Sequence, residues 1–181
     1  MKNQLWTQTI LESYNYIGCL SRSIDKRVLT LGTQSYKTTN YGTFCTLDLM
    51  EAVIELIERK KKMLRLKMLV ENTLRNLPVG TSKLLIRKYI DKLSLSDLAL
   101  ENNITINVLR RKLYKAINEC YDYFCKLGYC TAYIEQEYLS EQWLVGIYER
   151  KYQNLKKPTK QDKITFIPQK SNSSFSLCFA I

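Results

Sequence analysis

The sequence predicts a mostly α-helical protein, with a helical N-terminal part, a helix-turn-helix in the middle and a short C-terminal β-hairpin. Three observations predict it. Apolar residues recur at three- and four-residue spacing over about 5–30 and 46–76, enough for two long helices. Between Thr81 and Asn118 the chain reads LLIRKYIDK, LSLSDLALENN and ITINVLRRKLYKAIN, three short amphipathic runs parted by turn and cap residues. Near the end, KITFIP and FSLCFAI are apolar, partly alternating, and separated by KSNSS. The chain therefore divides into 1–77, 78–128 and 129–181.

The first helix sets Ile10, Tyr14, Ile17, Ile24, Val28 and Leu31 near one face, which suits packing better than a site. Gly32 to Cys45 lacks periodicity and reads as a loop. Its Tyr36, Tyr41 and Phe44, beside Lys37, could stack on bases, although such residues more often close a loop onto a core. The second helix, 46–76, would be roughly 46 Å long. Asp48, Glu51 and Glu55 crowd its start, where the helix dipole favours acids. Met50, Ile54, Ile57, Leu64 and Met68 form its apolar seam, widened by Val53, Leu56, Leu66 and Leu69. A helix like this must pack on something: the first helix, the middle helices or a second subunit. The run Arg59–Lys62 reads more simply as a solvated helix turn than as a nucleic-acid patch.

Pro78 and Gly80 end the long helix. A helix over Thr81–Lys92 carries Leu85, Tyr89 and Leu93 at four-residue steps. Ser94 and Asp97 spell a capping box for the next helix, whose Leu95, Leu98 and Ala99 point inward. Asn102-Asn103 supplies a tight turn, because Asn tolerates left-handed backbone. Thr105 caps the third helix, and Leu109, Leu113, Ala116 and Cys120 share its inner face. Ile106, Asn107, Arg110, Arg111 and Lys115 are turned away from that face. That helix should run through Tyr121 and Phe124 and stop at Gly128. Beyond it, Ser140 could cap a helix with Trp143, Leu144, Ile147, Tyr148 and Tyr152 as its apolar face. Lys156-Lys157-Pro158 then opens a polar linker to the hairpin, which would be marginal by itself.

The stretch LPVGTSKLLIRKYIDKLSLSDLALENNITINVLRRKLYKAI resembles region 4 of the sigma-70 family. Leu77-Pro78, Leu84-Leu85, Lys88-Tyr89, Ser94, Asp97-Leu98-Ala99, Ile104-Thr105, Leu109-Arg110 and Ala116 fill the places of that pattern without a gap. The likeness covers about a quarter of the chain. Arg87 stands where a buried aliphatic is usual, Lys92 and Asn103 replace turn glycines, and Ile106 occupies a tip that is often polar. The resemblance implies that the helix from about 105 to 118 enters the DNA major groove and that its opening residues touch base edges. Two long helices ahead of such a module are similar in layout to small phage-type transcription regulators of the ArpU and RinA families. The promoter-melting region of a full sigma factor is not found in residues 1–76.

Composition agrees with a polyanionic partner. The formal net charge is +11 and the pI is near 9.3. The excess is purest in Thr105–Asn118, where Arg110, Arg111, Lys112 and Lys115 meet no acid. The chain has no His and six Cys in no CxxC pair, so neither a metal site nor a cofactor is expected, and the thiols read as reduced and mostly buried. No Gly-rich phosphate loop or paired carboxylates suggest an enzyme. No run is long and apolar enough for a bilayer, and the N-terminus is no signal peptide, so a cytoplasmic, nucleoid-associated protein is expected.

The reading is a sequence-specific, double-stranded DNA-binding transcription regulator, either a sigma-like activator or a partial sigma factor. Thr105 would offer helix N–H groups to a phosphate, and Asn107, Arg110 and Arg111 would read bases. Ile106 would touch a thymine methyl, and Lys112, Lys115 and Lys88 would hold phosphates. A lone trihelical reader needs support for useful affinity, so RNA polymerase or a second copy of the chain is the further partner expected. The competing reading is a scaffold module that binds polymerase, or itself, through the long helix and the aromatic C-terminal segment.

Overall fold

The computed structural model describes residues 2–37 and 46–156, and every described element is helical. In chain order they are α1 (Lys2–Lys37), α2 (Thr46–Asn76), α3 (Val79–Leu85), α4 (Leu95–Glu101), α5 (Ile106–Lys126), α6 (Thr131–Tyr138) and α7 (Gln142–Lys156). A π-helical turn, Ile86–Ile90, continues α3. The predicted mostly helical class is observed. The proposed hairpin segments, Tyr41, Phe44, Cys45 and Cys178 lie outside the described residues.

α1 is the hub. It packs along α2 and also touches α5, α6, α7 and the π-turn. Trp6, Ile10, Leu11 and Ile17 are fully buried along it and join Met63, Leu66 and Val70 of α2 in one core. The hydroxyls interrupting this buried face satisfy themselves on their own helix: Thr9 donates to the Leu5 carbonyl at 2.8 Å and Ser13 to that of Ile10 at 2.7 Å. Apolar burial is thus kept without unsatisfied polar atoms there. α1 also runs to Lys37, past the predicted end, so Gly32 begins no loop.

On α2 the predicted seam is not what packs, although Leu56, Leu66 and Leu69, expected at its margin, do face the core. Met63, Leu66, Leu69 and Val70 go inward, whereas Met50, Ile54, Ile57, Leu64 and Met68 are solvent-exposed. The helix carries two apolar stripes, and α1 covers only one of them. Nor is Arg59–Lys62 a solvated turn. Arg59 pairs with Glu141 at 3.1 Å, Lys60 with Asp25 at 2.6 Å, Lys61 with Glu58 at 2.6 Å and Lys62 with Glu137 at 3.3 Å. Three of these four bonds tie α2 to other parts of the chain.

The C-terminal part clamps onto α1. Trp6 stacks on Tyr148 with centroids 4.4 Å apart, and its indole N–H donates to Glu135 at 2.9 Å. Glu135 on α6, an element the sequence reading did not separate, also pairs with Lys2 at 2.8 Å. The start of α7 is held by Glu141 rather than Ser140. The Glu141 carbonyl accepts from the backbone N–H of Leu144 and Val145, while its buried carboxylate accepts from Arg59 and from the Trp143 indole. Of the described cysteines, Cys120 is buried and Cys125 half-buried, but Cys19 and Cys130 are exposed, so the described thiols are not mostly buried. No described helix is long and apolar enough to cross a membrane.

Candidate nucleic-acid interface

α4, the turn after it and the first half of α5 form a small unit with a core of its own. Leu98, Ala99, Leu109 and Leu113 make its core, with Leu84, Leu93, Leu95 and Ile104 packed around them. The second half of α5, through Ala116, Ile117, Cys120 and Phe124, belongs to the main core. One helix thus has its C-terminal half anchored in the body and its N-terminal half carried on α4. Burial pushes the Cys120 thiol up to about 12, as expected for a residue used as core rather than as a nucleophile.

Local chemistry sets the turn. The Ser94 hydroxyl accepts from the Asp97 N–H at 3.1 Å and starts α4. The Asp97 carboxylate accepts from that same hydroxyl at 2.6 Å and makes no bond to the Ser94 N–H, so the predicted box closes on one side only. At the far end, Ile104 N–H donates to Ala99 carbonyl at 3.0 Å and Asn103 N–H to Leu100 carbonyl at 3.1 Å. This double closure requires left-handed backbone at the residue after the cap, and Asn103 has φ 51°. Lys92, before α4, has φ 58°. Left-handed backbone of this kind is adopted most readily by glycine.

α5 opens on Thr105, whose hydroxyl accepts from the Val108 N–H at 3.4 Å. Ile106, Asn107, Arg110, Arg111, Lys112 and Lys115 are all exposed on its first turns. Lys115 reaches Glu119 at 3.9 Å, a long pair on a side chain 81% exposed. Among the described residues, Arg110, Arg111 and Lys112 meet no carboxylate. Arg87, by contrast, is engaged by Asp91 at 3.4 Å and Glu101 at 3.1 Å, which explains how a cation sits at a position expected to be aliphatic. Lys112 and Lys115 also border a cleft of about 380 Å³ between the start of α3, the turn after α4 and α5.

The predicted residues are brought together with one exception. Thr105, Ile106, Asn107, Arg110, Arg111, Lys112 and Lys115 share the start of α5. Lys88 lies elsewhere, beside Glu12, Tyr89 and Lys151, and donates to the Leu93 carbonyl at 3.1 Å. Burial first, and the Lys151 charge second, lower its pKa. Tyr114 and Val108 were not singled out, yet both are exposed on the same turns, Tyr114 by 59%. Tyr114 follows Asn107 and Arg110 by seven and four residues, and that spacing was the available signal. No protein-family model matches the chain, and no curated protein or solved structure is significantly similar to it.

Proposed function

We propose that the chain is a sequence-specific DNA-binding transcription regulator, sigma-like in its reading module, that lays the start of α5 in the major groove. The observation that carries this reading is the exposed, capped start of α5, where three consecutive cations meet no carboxylate among the described residues. The basic run Arg59–Lys62, by contrast, is absorbed by carboxylates of the same chain. A positive ridge left unneutralised on a rigid helix fits a polyanion. The left-handed Asn103 turn, which sets α5 against α4, supports a helix-turn-helix.

The roles follow from side-chain chemistry. Arg110 and Arg111 present forked donors that match guanine O6 and N7, and Asn107 can pair with the N6 and N7 edge of adenine. Ile106 offers an apolar contact to a thymine methyl. Lys112, Lys115 and the N–H groups after Thr105 position the helix on phosphates without reading sequence. Lys88 is left out of this set, because its ammonium is committed to the Leu93 carbonyl.

Selection from a random duplex pool tests the reading. The full chain should enrich a defined motif. Asn107→Ala and Arg110→Ala should each relax one or two positions of that motif, at a cost of about 1–3 kcal/mol on the selected duplex. A pool with no enriched motif after repeated rounds would leave a basic scaffold as the better description.

A further inference from the structure

We infer that the outward stripe of α2 is a docking surface for a second copy of this chain, with the two α2 helices antiparallel. Leu47, Met50, Ile54, Ile57, Leu64 and Met68 lie between 38% and 66% exposed. Their spacing alternates strictly between three and four residues once Lys61 is included between Ile57 and Leu64. That is the repeat of a coiled-coil seam, which fits best a helix with the same repeat. It lies on the side of α2 away from Met63, Leu66 and Val70, which pack on α1, so nothing in the described fold competes for it.

Two further observations favour a copy over another partner. The first is charge. Glu51 flanks the seam in the first half of α2 and Arg65 flanks it in the second, both exposed, whereas Glu58 and Lys61 near the midpoint pair within one helix. An antiparallel pair sets each acidic half against the other copy's basic half, whereas a parallel pair sets like against like. In the antiparallel register Met50 meets Met68, Ile54 meets Leu64, and Ile57 meets Lys61, whose ammonium is held by Glu58 of its own chain. The second is area. Six such side chains expose roughly 600 Å² on each copy, at the upper end of what a monomer ordinarily leaves to water, and two copies together reach about 1,200 Å², the lower edge of a stable interface. The inference does not depend on DNA binding. Where both hold, one two-fold assembly carries two α5 helices.

The test is sedimentation equilibrium of the full chain at micromolar concentration. A dimer is expected, and Ile54→Asp combined with Ile57→Asp should convert it to a monomer with unchanged helical circular dichroism. Those side chains are solvent-exposed in the single chain, so the double variant should keep its fold. A monomeric wild type, including one in which the segments after residue 156 cover the stripe, overturns the inference, and so does a double variant that stays dimeric. Orientation is read by disulfide formation above the wild-type background. An equimolar mixture of Met50→Cys and Met68→Cys chains should cross-link, while cross-linking of Met50→Cys alone would overturn the antiparallel arrangement.

Discussion

Asn103 decides how α5 sits on α4. A side chain with a β-carbon is strained at φ 51°, and Asn tolerates that backbone better than most residues. Asn103→Gly should therefore leave the melting temperature unchanged or raise it. Asn103→Val should destabilise the chain by about 1–2 kcal/mol, read as a shift in the denaturant midpoint. Glu141 is the second residue of consequence. Buried at 4% exposure, it accepts from both Arg59 and the Trp143 indole. Glu141→Ala should cost about 1–3 kcal/mol, because it strands the indole N–H and frees Arg59. At this scale the sequence was legible where backbone chemistry is local: Asn102-Asn103 reads as a tight turn that wants left-handed backbone, and Asn103 has positive φ. It was illegible where the partner is remote. Nothing near Lys88 announces the company of Glu12 and Lys151, and Arg59, Lys60 and Lys62 could not be matched to Glu141, Asp25 and Glu137 by inspection.

Each half of α5 answers to a different core, so the helix end that faces solvent is held without being covered. Thr105→Ala removes the cap bond to Val108 and should cost about 1 kcal/mol, seen as faster hydrogen exchange in the first turn of α5 and little change elsewhere. α6 is joined to α1 by Glu135, whose carboxyl the Lys2 hydrogen bond holds below its ordinary 4.5. A carboxylate depressed in the folded state stabilises the fold above pH 4.5, and that contribution is lost as the pH falls through the lowered value. Glu135→Gln should thus flatten the acid limb of the melting-temperature profile below pH 4.5 while leaving its slope near neutrality unchanged. Periodicity located the long helices and the buried face of α5, because one apolar stripe has one reading. It failed on α2, where two stripes compete and period alone does not say which one meets α1. It also failed on α6, whose eight residues offer no side-chain cap at Cys130 to mark the start.

For the whole molecule, the net charge of +11 says less than its distribution. Many of the cations are absorbed by nearby carboxylates or lie over aromatic rings, as Lys92 does over Tyr16 at 4.9 Å. The sequence could report the excess, but only the fold separates the paired cations from the free ones. Among the described residues, the three consecutive cations Arg110, Arg111 and Lys112 at the start of α5 meet no carboxylate, and the proposed activity rests there. The most direct measurement is equilibrium binding of the full chain to duplex DNA across a salt series, by fluorescence anisotropy, for wild type and for Arg110→Ala combined with Arg111→Ala. Log affinity should fall linearly with log salt. The double variant, with unchanged circular dichroism, should bind at least about tenfold more weakly at every salt concentration, a loss of about 1.4 kcal/mol or more. Affinity indifferent to salt, or a double variant that binds as well as wild type, would contradict the proposed activity.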